Sequence, residues 1–357
     1  MDVALVYNVK KEENSSAEND SQPSSLTQTT THTQTQLTSG VDVYAEWDTI
    51  ETIHAVRNAL SLRHSVSLIE ADDNAFENLK SSRPDIVFNI AEGRFGVSRE
   101  AQIPAILEML NIPYTGSDPL TLGICLDKSR AKEILSYYGV PTPKFTVVSS
   151  LSELRSLNFS TPAMVKPLFE GSSKGIFNSS LVHTDGELKK QVQLVIEQYG
   201  EPALVEEFLP GREFTVAILG NGDDLKVLPI VEIKFDSLPN GVNPIYSYEA
   251  KWIWDQSSNP LEIFDCPAKI DNKLQNEIAQ ICTKTYNLLR CKDWSRIDVR
   301  LDKNGRPNVI EINPLPGILP NPEDNSCFPK AARMAGISYE QMLNSVLDTA
   351  CKRYELM

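Results

Sequence analysis

The stretch that decides the fold runs from Arg296 to Asn313 and reads Arg-Ile-Asp-Val-Arg-Leu-Asp-Lys-Asn-Gly-Arg-Pro-Asn-Val-Ile-Glu-Ile-Asn. Its two halves alternate apolar and polar residues, which is typical of β-strands with one buried face. Asn304-Gly305 lies between the halves and favours a two-residue type I′ turn, because both residue types tolerate positive φ. The stretch therefore predicts a β-hairpin.

The register of this hairpin brings acidic side chains together on one face. With a two-residue loop, Asp298 faces Glu311 and Arg296 faces Asn313. Like charges directly opposite each other destabilise a sheet, so two carboxylates beside an amide oxygen indicate a hard divalent cation such as Mg²⁺ or Mn²⁺. A solvated strand face is the usual alternative for acidic residues on strands. The rigid turn that follows, Pro314-Leu-Pro-Gly-Ile318, favours the metal site.

Composition and charge exclude several classes of function. The chain has 357 residues, of which 41% are hydrophobic, enough for a large core and two or three domains. No apolar run approaches the roughly 18 to 20 residues that span a bilayer. A formal charge of −14 argues against nucleic-acid binding, which needs a basic face. Six cysteines without paired or metal-ligand spacing suit a reducing compartment. We therefore expect a cytoplasmic protein with no nucleic-acid or membrane partner.

The order of the elements predicts an α/β fold. Apolar strands over 3–7, 66–69 and 85–90 alternate with helical periodicity, which implies a parallel sheet covered by helices. Residues from about 10 to 40 are mainly Ser, Thr, Gln, Asn and Glu, a composition that predicts a disordered surface loop. The predicted units are an N-terminal α/β domain (1–120), a central unit (121–207) and a C-terminal unit (208–357).

The hairpin and its continuation to Ile318 resemble the signature of the D-alanine–D-alanine ligases, a family of the ATP-grasp superfamily. Three further segments carry the resemblance, which covers nearly the whole chain: Lys166-Pro-Leu-Phe-Glu-Gly-Ser-Ser-Lys-Gly175, Glu206-Glu-Phe-Leu-Pro-Gly-Arg-Glu213 and Tyr248-Glu-Ala-Lys-Trp252. It implies an ATP-grasp fold of three α/β domains, with ATP held between the central and C-terminal domains. It also implies Mg²⁺ or Mn²⁺, with two ions, and a cytoplasmic enzyme of cell-wall peptidoglycan synthesis. Dimerisation is expected from the resemblance alone.

The resemblance also implies a role for individual residues around ATP. The implied ATP contacts are Lys128, Lys166 and Lys251 at the phosphates, Glu206, Glu207 and Leu209 at the adenine, and Glu213 at the ribose. The implied metal ligands are Asp298, Glu311 and Asn313. Glu207 stands where the family often has a lysine, and a contact made through the backbone tolerates that change.

A second set of implied residues handles the amino acids. The implied catalytic residues are Arg296, Gly317, Lys251 and Ser173; of these, Arg296 and the Gly317 amide stabilise the tetrahedral intermediate. Ser173 positions the first substrate and Ser326 binds the carboxylate of the second. Glu46 is the nearest candidate for binding the ammonium group of the first amino acid.

Two departures from the family pattern fall in the amino-acid half of the site. The segment from Asn89 to Glu100 lacks the family's histidine, and Trp252 stands where tyrosine is common. The expected activity is ATP-dependent joining of two amino acids through an acyl phosphate. The alternatives are an ATP-grasp ligase for another amino acid or dipeptide outside peptidoglycan synthesis, and a nucleotide-binding regulator without turnover.

Overall fold

A computed structural model describes residues 1–10, 46–255 and 261–356. Apart from its first residue, the predicted polar loop of about 10–40 lies outside these ranges. Within them, no helix is both long enough and apolar enough to cross a membrane. All six cysteines are unpaired, as their spacing predicts.

The N-terminal part is a three-stranded parallel sheet covered by helices, as predicted. The middle strand of the sheet is the first in sequence, with order β2-β1-β3, because each crossover helix returns the chain in parallel. The Thr49 side chain accepts a hydrogen bond from the Thr52 amide and so caps α1. Its elements are β1 (Asp2–Tyr7), α1 (Ile50–Ser61), β2 (Ser65–Glu70), α2 (Ala75–Ser82), β3 (Ile86–Asn89), α3 (Gln102–Leu110) and α4 (Pro119–Leu126).

The central part is a four-stranded antiparallel sheet with its own apolar core. Asp127 caps α5 by accepting from two backbone amides, which fixes the start of the helix that carries Lys128. Thr184 and Glu187 form a capping box on α6. The elements are α5 (Lys128–Tyr137), β4 (Phe145–Val148), β5 (Ala163–Pro167), β6 (Leu181–Val182), α6 (Asp185–Tyr199) and β7 (Ala203–Glu207), with strand order β4-β7-β5-β6.

The C-terminal part contains a second antiparallel sheet, in which the predicted hairpin forms one edge. The strand order is β11-β10-β8-β12-β13, and β9 pairs with β8. The elements are β8 (Glu213–Leu219), β9 (Lys226–Val227), β10 (Val231–Ile233), a π-helical turn (Glu249–Trp254), β11 (Phe264–Asp265), α7 (Asn272–Leu288), β12 (Trp294–Leu301), β13 (Pro307–Asn313), α8 (Cys327–Met334) and α9 (Tyr339–Arg353).

The predicted hairpin is present, but the predicted type I′ turn is wrong. Asp302 pairs with Arg306, so the loop has three residues and ends on Gly305, whose φ is +76°. The Asp302 carboxylate selects this loop by accepting from the amides of Asn304 (2.7 Å) and Arg306 (3.0 Å).

A three-residue loop alone would shift the pairing by one residue and turn the acidic face over. A β-bulge at Ile310 inserts one extra residue between Val309 and Glu311 and cancels that shift. Asp298 therefore does face Glu311, and Arg296 does face Asn313. The predicted register is therefore confirmed. It results from the three-residue loop and the bulge together, and not from a two-residue turn.

One hydrophobic core joins the N-terminal and C-terminal parts. Phe88 of β3 contacts Trp294 edge-to-face, and Trp294 contacts Phe328 of α8 in the same way. Residues of α1 and α9 belong to the same core. The central sheet and α6 have a separate core, whereas Ala131 and Leu135 of α5 pack against strands of the C-terminal part. The exact domain boundaries stay a prediction.

A buried carboxylate reinforces this junction. Asp293 is fully buried and accepts from the Gly116 amide (2.8 Å), from Asn221 (2.7 Å) and from the Arg353 guanidinium (2.7 Å). It thus connects the loop before α4, the loop after β8 and the last helix.

Asp293→Asn should destabilise the protein by about 1–3 kcal/mol, because it removes the charged partner of the part-buried Arg353 and a strong acceptor for buried donors. The measurement is the free energy of unfolding in guanidinium chloride. Arg63→Gln is the control, since it breaks the largely exposed Arg63–Asp348 pair (2.7 Å) and should cost at most about 1 kcal/mol. Equal effects of the two substitutions would contradict the role assigned to Asp293.

Candidate active site

The predicted site residues all line two adjoining cavities, of about 90 and 240 Å³. The two cavities share Glu46, Lys251, Arg296, Glu311 and Gly317 as walls, so they form one cleft. The smaller cavity also includes Lys128 and Asn313, and the larger includes Lys166, Ser173, Glu206, Glu207, Leu209, Glu213, Asp298 and Ser326. The fold thus brings together residues that are up to 280 positions apart in sequence, from Glu46 to Ser326.

Lysines buried at strand and helix ends face carboxylates across the cleft. Lys128 Nζ, at the start of α5, lies 3.2 Å from Glu311 Oε1 and donates to the Glu170 carbonyl. Lys166, at the end of β5, lies 2.6 Å from Glu206 Oε1. Burial would raise the pKa of Glu311, but the charges of Lys128 and Lys166 outweigh it and lower that pKa. This corner therefore concentrates lysine ammonium groups beside carboxylates, and such cationic donors also bind phosphate.

Lys132 belongs to the same corner and was missed from the sequence. Its ammonium lies 2.9 Å from Glu206 Oε2, so the Glu206 carboxylate is held between two lysines. Burial would raise the pKa of Glu206, but Lys132 and Lys166 hold it at about 2. The available signal was helical spacing, because Lys132 lies four residues after Lys128 and shares a face of α5 with it.

Arg300 is a second missed residue, at the predicted ribose end. Its guanidinium lies 2.7 Å from the Glu213 carboxylate and also donates to the Pro244 carbonyl (2.8 Å). It stacks over Phe208 at 4.7 Å. Strand alternation from Arg296 and Asp298 places Arg300 on the same face of β12, and this signal could have identified it.

The predicted metal ligands lie on one face of the hairpin. Arg296 donates twice to the Asp298 carboxylate, at 3.1 and 2.9 Å, and the Asn313 amide lies 3.5 Å from the same group. In the described part of the chain, no three His, Cys, Asp or Glu side chains form a closed metal cage. A cation here would keep water or phosphate oxygens as further ligands. That is how Mg²⁺ usually binds, so the oxygen donors on this face fit it.

The glycine-rich loop over 170–176 is held against the segment that carries Lys251. Ser173 Oγ donates to the Tyr246 carbonyl (3.0 Å), and Trp252 Nε1 donates to the Ser172 carbonyl (3.1 Å). The Tyr248 amide donates to the Ile176 carbonyl (2.7 Å). Trp252 thus closes the cleft through its indole nitrogen at the position where the family commonly has tyrosine.

The turn after β13 presents Gly317 to the cleft. Ser326 Oγ donates to the Gly317 carbonyl (3.2 Å) and accepts from the Leu319 amide (3.2 Å). The Ser326 hydroxyl therefore organises the turn. A Cβ added at Gly317 would meet no atom within 4 Å, so this residue faces open space.

The wall opposite the lysines is acidic and comes from the N-terminal part. Burial raises the pKa of Asp48 to about 7. Burial, followed by the charge of Glu46, raises the pKa of Glu100 to about 8, and burial also raises the pKa of Glu92. The side chains of Glu46, Asp48, Glu92 and Glu100 all line the smaller cavity. Glu46 accepts from Arg99 at 2.8 Å. This wall favours a ligand with an ammonium group.

Comparisons with known proteins match this geometry. The family model described as D-ala D-ala ligase C-terminus matches residues 134–348. A D-alanine–D-alanine ligase of Haemophilus ducreyi is 36% identical over 82% of this chain and 90% of its own length. The corresponding ligase of Pelotomaculum thermopropionicum is 32% identical over 84% and 91%. This chain belongs to the D-alanine–D-alanine ligase family.

Two further similarities complete the comparison. An uncharacterized protein of Sinorhizobium fredii is 38% identical over 82% of this chain and 84% of its own length. The crystal structure of a D-alanine–D-alanine ligase from Bacillus anthracis, complexed with ATP, has a TM-score of 0.69 at 22% identity, covering 100% of this chain and 98% of that one. The ATP-grasp fold and the class of ADP-forming ligase, both expected from the sequence, are confirmed. The roles of individual residues stay predictions.

Lys251 should make ATP capture sensitive to pH. Burial, and then the nearby charge of Arg296, lowers the pKa of Lys251 to about 8. The charged ammonium attracts phosphate, so it acts below this pKa and is lost as pH rises. We expect kcat/KM for ATP, which reports groups of the free enzyme, to fall about tenfold per pH unit above pH 8.

Lys251→Arg is the control for this pH dependence, since a guanidinium stays protonated throughout the range. The decline above pH 8 should disappear in this variant, even if its plateau is lower. A decline that persists unchanged would mean that another group titrates.

Proposed function

We propose that this protein is an ATP-dependent ligase that joins two small amino acids through an acyl phosphate, with D-alanine as the leading candidate for both substrates. The observation that carries the proposal is the corner where Lys128 and Lys166 face Glu311 and Glu206. Buried lysines that neutralise buried carboxylates form a ready site for phosphates, because phosphates can replace the carboxylates as their partners. The ligase names of the relatives support the substrate assignment.

The first step would be transfer of the γ-phosphoryl group to the carboxylate of the first amino acid. Lys128, Lys166 and Lys251 would neutralise the developing charge, since such transfer depends mainly on positioning and electrostatics. Lys251 lines both cavities and so can reach the γ-phosphate between them. The products of this step are ADP and an acyl phosphate.

The second step would be attack of an amine on the acyl carbon, with loss of phosphate. Arg296 lines both cavities and would bind the oxyanion together with the Gly317 amide. Loss of one such donor typically costs about 2.7–4 kcal/mol of transition-state stabilisation. Ser173 and Ser326 would position the two amino acids. The contacts between the glycine-rich loop and the Tyr246–Trp252 segment would exclude water from the acyl phosphate.

Asp298, Glu311 and Asn313 would hold Mg²⁺ or Mn²⁺, with two ions expected. When bound, the metal would neutralise the charge of the β- and γ-phosphates. Arg296 Nη2 lies 2.9 Å from Asp298 Oδ2 and orients this carboxylate. The site assignment, the cytoplasmic location and a homodimer are all parts of this proposal.

The acidic wall and Trp252 favour a second candidate within the same chemistry. A pocket with several carboxylates and no family tyrosine suits a first substrate other than D-alanine, so the protein could join another pair of amino acids outside peptidoglycan synthesis. The ATP half of the site is the same in both candidates. A regulator without turnover is disfavoured by the complete set of lysines and metal ligands.

The products distinguish these candidates. Phosphate release from Mg·ATP would be measured over a panel of D- and L-amino acids, with products identified by mass. D-alanyl-D-alanine as the main product is the expected result. Another dipeptide would support the second candidate, and no carboxylate-dependent release with any member of the panel would contradict the ligase proposal.

Glu311→Gln tests the metal and phosphate corner. It removes one charge from the metal face and one partner from Lys128, and we expect kcat to fall at least about 10²-fold, as for loss of an electrostatic group of this kind. Lys303→Gln, in the exposed loop of the same hairpin, should leave kcat within about twofold. Chelation with EDTA should abolish activity, and Mg²⁺ or Mn²⁺ should restore it. Full activity of Glu311→Gln would exclude the assignment.

A further inference from the structure

Arg99 lies between the N-terminal part and the glycine-rich loop, and it contacts both. Its Nη2 is 2.8 Å from each carboxylate oxygen of Glu46, 3.0 Å from the Phe169 carbonyl and 3.0 Å from Glu170 Oε2. Arg99 is 9% exposed. One buried guanidinium nitrogen thus binds two carboxylates from different parts of the chain.

The carboxylate of Glu46 completes the connection. Its Oε1 accepts from the Gly171 amide at 2.6 Å. A Cβ added at Gly171 would lie 2.9 Å from the same oxygen, so the Glu46 carboxylate would have to shift away from the loop. Both acceptor oxygens of Glu46 are therefore engaged by the chain itself, one of them by the loop backbone.

Glu170 carries the contact further into the phosphate corner. Its carboxylate also pairs with Lys174 at 3.0 Å, and its carbonyl accepts from Lys128 Nζ. Arg99 and Lys128 thus hold the beginning of the loop from two sides. Movement of the loop would have to break both sets of contacts.

We propose that Arg99 is a positioning residue that holds the glycine-rich loop closed through Glu46 and Glu170, and so limits loss of the acyl phosphate to water. The proposal rests on the proposed ligase function for its chemical consequence. It gives Glu46 a role other than binding the substrate ammonium, because Arg99 already supplies the positive charge that this carboxylate needs.

The physical reason is charge balance at the loop. Without Arg99, the Glu46 and Glu170 carboxylates would lose the cation that both of them contact. Like charges in a poorly hydrated site repel, so the loop would move away from the N-terminal part. Water would then reach the acyl phosphate and compete with the amine.

The experiment compares Arg99→Gln with Arg99→Lys and with Arg94→Gln. Arg99→Lys keeps one cationic nitrogen. Its ratio of phosphate to dipeptide and its cleavage rate should therefore lie between those of the wild type and of Arg99→Gln. Arg94 lies on the same segment and pairs with the exposed Asp73, so its substitution is the matched control. The full chain is assayed for phosphate released per dipeptide formed, and, without nucleotide, for the rate of tryptic cleavage after Lys174, followed by mass.

For Arg99→Gln we expect a severalfold higher ratio of phosphate to dipeptide and a severalfold faster cleavage after Lys174. Arg94→Gln should match the wild type in both. If Arg99→Gln does not fold, Gly171→Ala replaces it, since the added Cβ forces the Glu46 carboxylate to shift from its contact with the loop amide while Arg99 remains. That variant should show the same two changes at a smaller size.

Two results would overturn the inference. One is a folded Arg99→Gln, or failing it Gly171→Ala, with wild-type coupling and wild-type cleavage. The other is an equal increase in Arg94→Gln. A wild-type protein that forms no dipeptide contradicts the proposed function instead, and the cleavage rates then decide the role of Arg99 on their own.

Discussion

The cleft depends on mutual neutralisation of charges that the fold removes from water. Lys128, Lys132 and Lys166 are each at most 6% exposed, and the carboxylates of Glu206 and Glu311 lie among them. Burying an unpaired charge costs several kcal/mol, whereas a well-placed partner offsets much of that cost. The carboxylates of Glu206 and Glu311 therefore offset the cost of burying these three side chains. A polyphosphate bound here would add further anionic partners for the same lysines.

This constraint explains why the site lies where three parts of the chain meet. Lys128 and Lys132 come from the capped start of α5, Lys166 from the end of β5, and Glu311 from the hairpin. Lys166 and Glu206 lie on the neighbouring strands β5 and β7 of the central sheet. Ala131 and Leu135 of α5 pack in a core with β8, β12 and β13, apart from the core of the central sheet. The Lys132–Glu206 pair therefore connects two separately packed bodies.

Most of the fold could be predicted because its signals are local. Periodicity predicted the three parallel strands and the helices between them, and alternation predicted the two strands of the hairpin. The family resemblance identified residues that do line one cleft. Arg99 and Lys132 escaped because their partners, Glu46 and Glu206, are more than 50 residues away in sequence. Helical spacing could place Lys132 on the same face as Lys128, but spacing along the chain does not identify partners so distant in sequence. The predicted two-residue loop of the hairpin was wrong because the side chain of Asp302, which lies outside the Asn304-Gly305 dipeptide, determines the length of the loop.

The hairpin shows how a correct functional register can have an unexpected local cause. A three-residue loop and the bulge at Ile310 each shift the pairing by one residue, and together they leave Asp298 opposite Glu311. A change that removed only one of them would move these carboxylates to opposite faces, since the side-chain period of a strand is two. The bulge also points to the site itself, because bulges often occur next to active sites, where they change the direction of a side chain. The strand therefore directs Glu311 towards Lys128 next to the point where the regular ladder is interrupted, and the acidic face depends on that interruption as much as on the acidic residues themselves.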